Sequence, residues 1–87
     1  MIDAIRNLLQ EHGRLHQSVN SLTSDASLYD AGLTPFAAIR TMLALEEAFN
    51  IEFPAAMQRR QSFASIDAIA ACLKELCPEV GAERRAA

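Results

Sequence analysis

The chain has 87 residues, 51% of them apolar, and a net charge of −3 from 11 acidic and 8 basic residues. This length allows one small domain, and only three glycines and three prolines interrupt it. No basic stripe is interleaved with aromatic residues, which argues against nucleic acid as a partner.

The first predicted element is an amphipathic helix. Apolar and half-polar positions recur at steps of three and four, with polar residues between them. These positions are Ile2, Ile5, Leu8, Leu9, His12 and Leu15. The segment has no basic leader followed by a long apolar run, so we expect a soluble, cytoplasmic protein without membrane insertion.

A long loop follows the first helix. From about residue 17 to residue 34 the helical period lapses into Ser, Thr, Asn, Asp and Gly. Such a long connection in a compact domain is usually functional or held by its own apolar side chains. Leu28, Tyr29 and Leu33 are the candidate anchors.

The second helix has a clear start. The Thr34 side chain can cap it by accepting the N–H of Phe36 or Ala37, and Pro35 suits the first helical position because its missing N–H would have no partner there. The helix is predicted to run to about Phe49. Its apolar positions form a broad face, which predicts the centre of a bundle: Phe36, Ile39, Met42, Leu43, Leu45 and Phe49.

Two further helices complete the predicted fold. After an extended segment, a short third helix is predicted over residues 54–59. The final helix is capped by Ser65 and ends before Pro78, with Ile66, Ile69, Cys72, Leu73 and Leu76 on its buried side. The expectation is an all-α, four-helix domain over residues 1–78 and a flexible tail over residues 79–87.

Two stretches carry a family pattern. Residues 30–36 read DAGLTPF and residues 45–54 read LEEAFNIEFP. They resemble the Asp-x-Gly-x-Asp-Ser-Leu and L-E-E-x-F-G-I-x-I-P runs of phosphopantetheine carrier proteins, the acyl carrier protein family. About residues 2–76 can be laid on that family, and the resemblance implies its four-helix bundle with a long first loop and a short third helix.

The resemblance places Pro35 where the family has its attachment serine. In the family, 4′-phosphopantetheine is transferred from coenzyme A to that serine hydroxyl, and its thiol then carries an acyl or aminoacyl group. Proline has no hydroxyl, so no cofactor is expected on residue 35. Thr34 offers the nearest hydroxyl, but helix capping competes for its oxygen.

The resemblance also implies a carrier-dependent enzyme as partner, such as an acyl or amino-acid ligase or synthase. Family members usually present acids on the second helix to basic enzyme surfaces, whereas the front of this helix has Ala37, Ala38 and Arg40. The expected partner-binding residues are Phe36, Ala37, Arg40, Glu46 and Glu47. The GLTPF stretch is also similar to the Gly-Leu-Ser-Ser-Phe of small carriers loaded by synthetase-like amino-acid ligases.

Two functions follow from this resemblance. The first is an unmodified carrier homologue that binds a carrier-dependent enzyme. The second is an active acyl or amino-acid carrier of fatty-acid, polyketide or peptide-type biosynthesis whose serine is altered in this copy, since serine and proline codons can differ by one base. A catalytic role is not expected, because no acid–base pair, activated nucleophile or metal set emerges.

Other candidate features favour structural roles. His12 and His16 have metal-binding spacing but lack a third ligand, so we expect one half-buried and one exposed histidine. Cys72 is expected to be a buried thiol, with Cys77 more exposed and both reduced. Arg59 and Arg60 could contact a phosphate or an acidic residue of a partner, but a solvated turn is the favoured interpretation. Phe36, Met42 and Phe49 could line an acyl pocket, but core packing is the default.

Overall fold

In a computed structural model, which describes residues 1–77, three α-helices surround one core. They are α1 (Ile2–His12), α2 (Pro35–Phe49) and α3 (Ile66–Leu76). Three 3₁₀ turns lie between them, at Val19–Ser21, Ala55–Met57 and Arg60–Phe63. The all-α prediction is confirmed, and the tail predicted for residues 79–87 lies outside the described residues. No helix within residues 1–77 has both the length and the apolar character to cross a membrane.

The core sits where α1 packs against α2 and α3. Each fully buried Leu or Ile removes enough apolar surface from water to contribute about 1.5–3 kcal/mol before entropy is counted. The largest fully buried side chains are Ile5, Leu9, Leu28, Leu45, Ile66, Ile69, Leu73, Val19 and Thr41. The one hydroxyl among them is satisfied, because Thr41 Oγ1 donates to the Ala37 carbonyl oxygen at 2.9 Å.

The predicted N-caps of α2 and α3 and the predicted end of α2 are confirmed. Thr34 Oγ1 accepts the Ala37 N–H at 3.1 Å, and Ser65 Oγ accepts the Ala68 N–H at 3.0 Å. At the end of α2, Asn50 takes the left-handed conformation (φ 54°, ψ 53°), which asparagine adopts more readily than most residues. Local side-chain chemistry therefore sets both ends of α2.

The long loop is tied to the core by two of its predicted anchors. Leu28 is fully buried and Leu33 is 4% exposed. The Arg6 guanidinium of α1 donates to the carbonyl oxygens of Val19 and Leu22, at 2.7 and 2.9 Å. These contacts hold the loop in place, although its only helical element is the 3₁₀ turn at Val19–Ser21.

The predicted short third helix is wrong. Its segment forms two 3₁₀ turns, Ala55–Met57 and Arg60–Phe63, separated by Gln58 and Arg59. Phe53 and Phe63 are buried at either end of the segment, with ring centres 5.5 Å apart. The chain therefore leaves the core at Phe53 and returns to it at Phe63, and the stretch between them consists of short 3₁₀ pieces rather than one α-helix.

The predicted extent of the first helix is also corrected. α1 ends at His12 rather than continuing to Leu15. Arg14 has φ 52°, a left-handed conformation that turns the chain out of the helix. Leu15 still packs against the core from the loop, which explains why it is apolar although it lies outside the helix.

The predicted burial of α2 is wrong for half of its apolar face. Phe36, Ile39 and Leu43 are 66%, 53% and 54% exposed. The buried residues of α2 are instead Ala37, Ala38, Thr41 and Leu45, and the first three of them are small. Because Ala37, Ala38 and Thr41 face the core along the first half of α2, the larger Phe36, Ile39 and Leu43 face solvent, and α2 is a side wall of the domain.

Gly32 is required by two independent constraints. Its φ is +110°, which L side chains rarely adopt, and a Cβ there would meet the His16 imidazole at 2.6–2.8 Å. The backbone N–H of His16 also donates to the Ala31 carbonyl oxygen at 2.8 Å, which keeps the start and the end of the loop together. Gly32 therefore allows the end of the loop to lie close to its start at His16.

We expect Gly32→Ala to lower the free energy of unfolding by more than about 1 kcal/mol, because it adds backbone strain and a clash. Urea denaturation measures this. His16→Ala in the same chain should recover the steric part of the loss but leave the strain. An additive double variant would contradict the proposed contact between the two residues.

Glu46 joins the end of α2 to the following segment. One oxygen of its carboxylate, Oε2, accepts the Phe53 N–H at 2.8 Å. Phe53 is buried, and its carbonyl oxygen accepts the Gln58 side-chain N–H at 2.7 Å. Both polar groups of the Phe53 backbone are thus satisfied by side chains rather than by secondary structure.

We expect Glu46→Ala to destabilise the domain by about 1–2 kcal/mol, because the Phe53 N–H loses a charged acceptor. Glu47→Ala is the matched control, since it makes the same substitution at the next, exposed helical position. Its effect should stay within about 0.5 kcal/mol. Equal losses in urea unfolding would show that the hydrogen bond is not the cause.

Candidate functional site

The site begins at the junction of the long loop and α2. Thr34 is extended (φ −88°, ψ 161°) and caps the helix, so Pro35 becomes its first residue. Both residues are exposed. The chain therefore presents residue 35 to solvent at a well-defined helix start.

The residues at this junction do not fit covalent attachment of phosphopantetheine at residue 35. Pro35 carries no oxygen, sulphur or N–H that could react. Thr34 has a hydroxyl, but its oxygen accepts the Ala37 N–H of the cap. A modification at Thr34 would have to compete with that hydrogen bond.

An apolar groove of about 410 Å³ opens beside Pro35, between α2 and the segment that contains the last two turns. Its lining residues are Tyr29, Pro35, Ala38, Ile39, Met42, Gln58, Arg59, Arg60 and Phe63. Two of these residues are cationic and none is acidic. Met42 lines the groove and also packs against the core, whereas Phe49, its predicted companion in an acyl pocket, packs against the core and does not line the groove.

Tyr29 and Arg60 form a clasp across one wall of the groove. The Tyr29 hydroxyl donates to the Arg60 carbonyl oxygen at 2.8 Å. The guanidinium carbon of Arg60 lies 3.9 Å from the centre of the Tyr29 ring, a cation–π distance. Burial raises the pKa of the Tyr29 hydroxyl, and the positive charge of Arg60 opposes that shift.

This clasp gives Arg60 a structural contact that the solvated-turn interpretation lacked. Tyr29 and Arg60 are 31 residues apart, so no local sequence pattern joins them. Arg59, by contrast, is exposed at the groove. Tyr29, the third loop anchor predicted from sequence, is half-buried. Its contact with Arg60 joins the loop to the Arg60–Phe63 turn.

An apolar stripe runs along the outside of α2 from the same junction. We use this name for Phe36, Ile39 and Leu43, whose spacing of three and four places them on one helix face. The guanidinium carbon of Arg40 lies 5.8 Å from the Phe36 ring centre. A second groove, which includes Arg40, Leu43 and Glu47, borders the stripe on the side of α1.

The structure separates the predicted partner-binding residues. Phe36 and Arg40 lie together at the exposed stripe, and Glu47 is exposed near the other end of α2. Ala37 is 1% exposed and supports the surface from beneath. Glu46 is half-buried and bonded to the Phe53 N–H.

The remaining titratable candidates lie apart from this junction, except for one. His12 is half-buried and His16 is exposed, as predicted, and the His16 ring lies against Gly32 in the loop before Pro35. Cys72 is buried and Cys77 is partly exposed, both as free thiols. Across residues 1–77, no three His, Cys, Asp or Glu residues are grouped so that they could hold a metal ion.

Sequence comparison agrees with the carrier-protein pattern. Residues 3–73 match the family model described as "Phosphopantetheine attachment site". An "Aminoacyl carrier protein" of Agrobacterium fabrum is 49% identical over 65 residues, which cover 75% of this chain and 78% of that protein. Proteins of this family carry groups for enzymes and are not catalysts themselves.

Solved structures agree as well. The carrier protein from Agrobacterium tumefaciens, crystallised with an engineered glycine:[carrier protein] ligase of Bradyrhizobium japonicum and AMP, is 46% identical. The match has a TM-score of 0.83 and covers 85% of this chain and 99% of that chain. A solution structure from Agrobacterium tumefaciens is 41% identical, with a TM-score of 0.70 and full coverage of both chains. With a family match over most of its length and relatives above 40% identity, the chain belongs to the phosphopantetheine attachment-site family of carrier proteins.

Proposed function

We propose that this chain is an aminoacyl-carrier homologue that is not phosphopantetheinylated and acts by binding a carrier-dependent ligase. The observation that carries the proposal is Pro35 at the first position of α2, which is the position where the sequence resemblance places the family's attachment serine. The proposal retains the cytoplasmic location expected from the sequence.

The first support is chemical. Transfer of phosphopantetheine needs a hydroxyl oxygen as nucleophile, and Pro35 has none. The nearby Thr34 oxygen accepts the Ala37 N–H and thereby caps α2. The junction can be well formed and still lack an acceptor for the group.

The second support is that the junction around Pro35 is intact. The loop anchors are buried and Gly32 keeps its positive φ. Proline also suits this helical position, because its fixed φ and missing N–H cost the helix nothing there. Such a chain can keep a docking surface after losing its reactive group.

The third support comes from the relatives. Carrier proteins of 45–46% identity occur in crystal structures with a glycine:[carrier protein] ligase, with AMP in one and ATP in the other. By analogy, we assign a ligase of this class as the partner. The expected contact residues are Phe36, Arg40 and Glu47, which are exposed, with Ala37 and Glu46 supporting them from within.

The alternative is an active amino-acid carrier whose attachment serine is changed in this copy. One observation favours it: residue 35 is exposed on a correctly capped helix, so a serine there would be presented to a transferase. The proposed function takes proline as the natural residue at position 35, and the alternative takes serine. Both assume the same fold.

Intact mass spectrometry tests whether the chain can be phosphopantetheinylated, and loading of Pro35→Ser by a ligase then separates the two functions. After incubation with coenzyme A and a promiscuous phosphopantetheinyl transferase, we expect the mass of the wild-type chain to stay unchanged. Pro35→Ser should gain one phosphopantetheinyl group, because it restores the hydroxyl without changing the cap. Pro35→Ala is the matched control, since it removes proline without adding a nucleophile.

A mass gain by the wild-type chain would overturn the proposal, and loss of that gain in Thr34→Ala would identify Thr34 as the acceptor. If Pro35→Ser is modified and then loaded with an amino acid by a ligase, the alternative gains support. If Pro35→Ser stays folded by circular dichroism but is not modified, the alternative is contradicted.

A further inference from the structure

The surface at the start of α2 is basic although the protein as a whole is acidic. Arg40 lies beside Phe36 of the apolar stripe, and Arg59 and Arg60 line the groove that Ile39 also lines. All three arginines are exposed. They stand at one end of an apolar surface in a chain whose net charge is −3.

No acidic residue lines the groove beside Pro35 with Arg59 and Arg60, whereas Arg40 also lines the second groove with Glu11 and Glu47. Glu46 is half-buried and engaged by the Phe53 N–H. Glu47 follows Arg40 by seven residues, which is about 10 Å along the helix axis at 1.5 Å per residue. That separation exceeds the screening length of about 8 Å at physiological ionic strength. Asp30 and Glu52 are exposed but line neither groove beside the stripe.

The sign of the surface changes toward the other end of α2. The second groove combines Arg40 and Leu43 with Glu11, His12 and Glu47. The apolar stripe therefore runs from a basic end at Pro35 to an acidic end at Glu47. A partner with a complementary surface can bind it in one orientation only, because the reversed orientation juxtaposes like charges.

We propose that the ligase surface that docks here is an apolar patch flanked by carboxylates, which face Arg40, Arg59 and Arg60. This inference rests on the proposed function and specifies the chemistry of its partner. It reverses the polarity implied by the family resemblance, in which acids on the carrier face bases on the enzyme. The stripe supplies the buried contact, and the arginines guide the approach and orientation.

Binding kinetics test this polarity. The immobilised glycine:[carrier protein] ligase of Bradyrhizobium japonicum is the probe, and surface plasmon resonance at low and high salt is the measurement. We expect Arg40→Glu and Arg59→Glu each to slow association about fivefold or more at low salt, with a smaller effect at high salt. Phe36→Ala should speed dissociation about tenfold, because it removes the largest apolar contact.

Lys74→Glu is the matched control. It makes the same change of charge at an exposed position of α3, in a groove that contains Ile2 and Asp67 instead of the stripe. It should leave association nearly unchanged. Thermal unfolding followed by circular dichroism confirms that each variant is folded.

The outcomes distinguish the two proposals. If the wild-type chain does not bind the ligase, the proposed function is overturned together with this inference. If it binds, but the arginine reversals accelerate association or have no more effect than Lys74→Glu, only the partner's predicted polarity is overturned. Slower association for the arginine variants alone supports it.

Discussion

The capped start of α2 is the constraint on which the rest of the site depends. Thr34 supplies the hydrogen-bond acceptor for Ala37, and Pro35 supplies a backbone already shaped for the first turn. Because this junction is fixed, the helix phase is fixed as well. That phase turns the Ala37 side of α2 toward the core and leaves Phe36 in solvent.

The loop before α2 makes this junction possible. Leu28 and Leu33 bury the loop, while Gly32 allows the left-handed turn between them and brings the chain against His16. On the far side, Tyr29 joins the loop to the Arg60 segment through a hydrogen bond and a ring contact. One loop therefore shapes both the start of α2 and one wall of the groove.

Small residues on the inner side of α2 have a direct functional consequence. With Ala37, Ala38 and Thr41 facing inward, the first half of the helix lies against the core without burying Phe36, Ile39 or Leu43. Phe36, Ile39 and Leu43 remain available as an apolar stripe, which is the kind of surface that marks a protein contact. The same packing leaves Arg40 exposed beside Phe36 of the stripe.

The sequence by itself determined the helix starts, the loop anchors and the carrier family, because capping residues, helical period and the two motif stretches are local signals. It also determined that residue 35 offers no nucleophile. Only the tertiary structure decided which apolar residues of α2 are buried, that residues 54–59 do not form an α-helix, and that Tyr29 meets Arg60. Those features depend on what each segment packs against, and contacts between residues about 30 positions apart leave no periodic pattern in the chain.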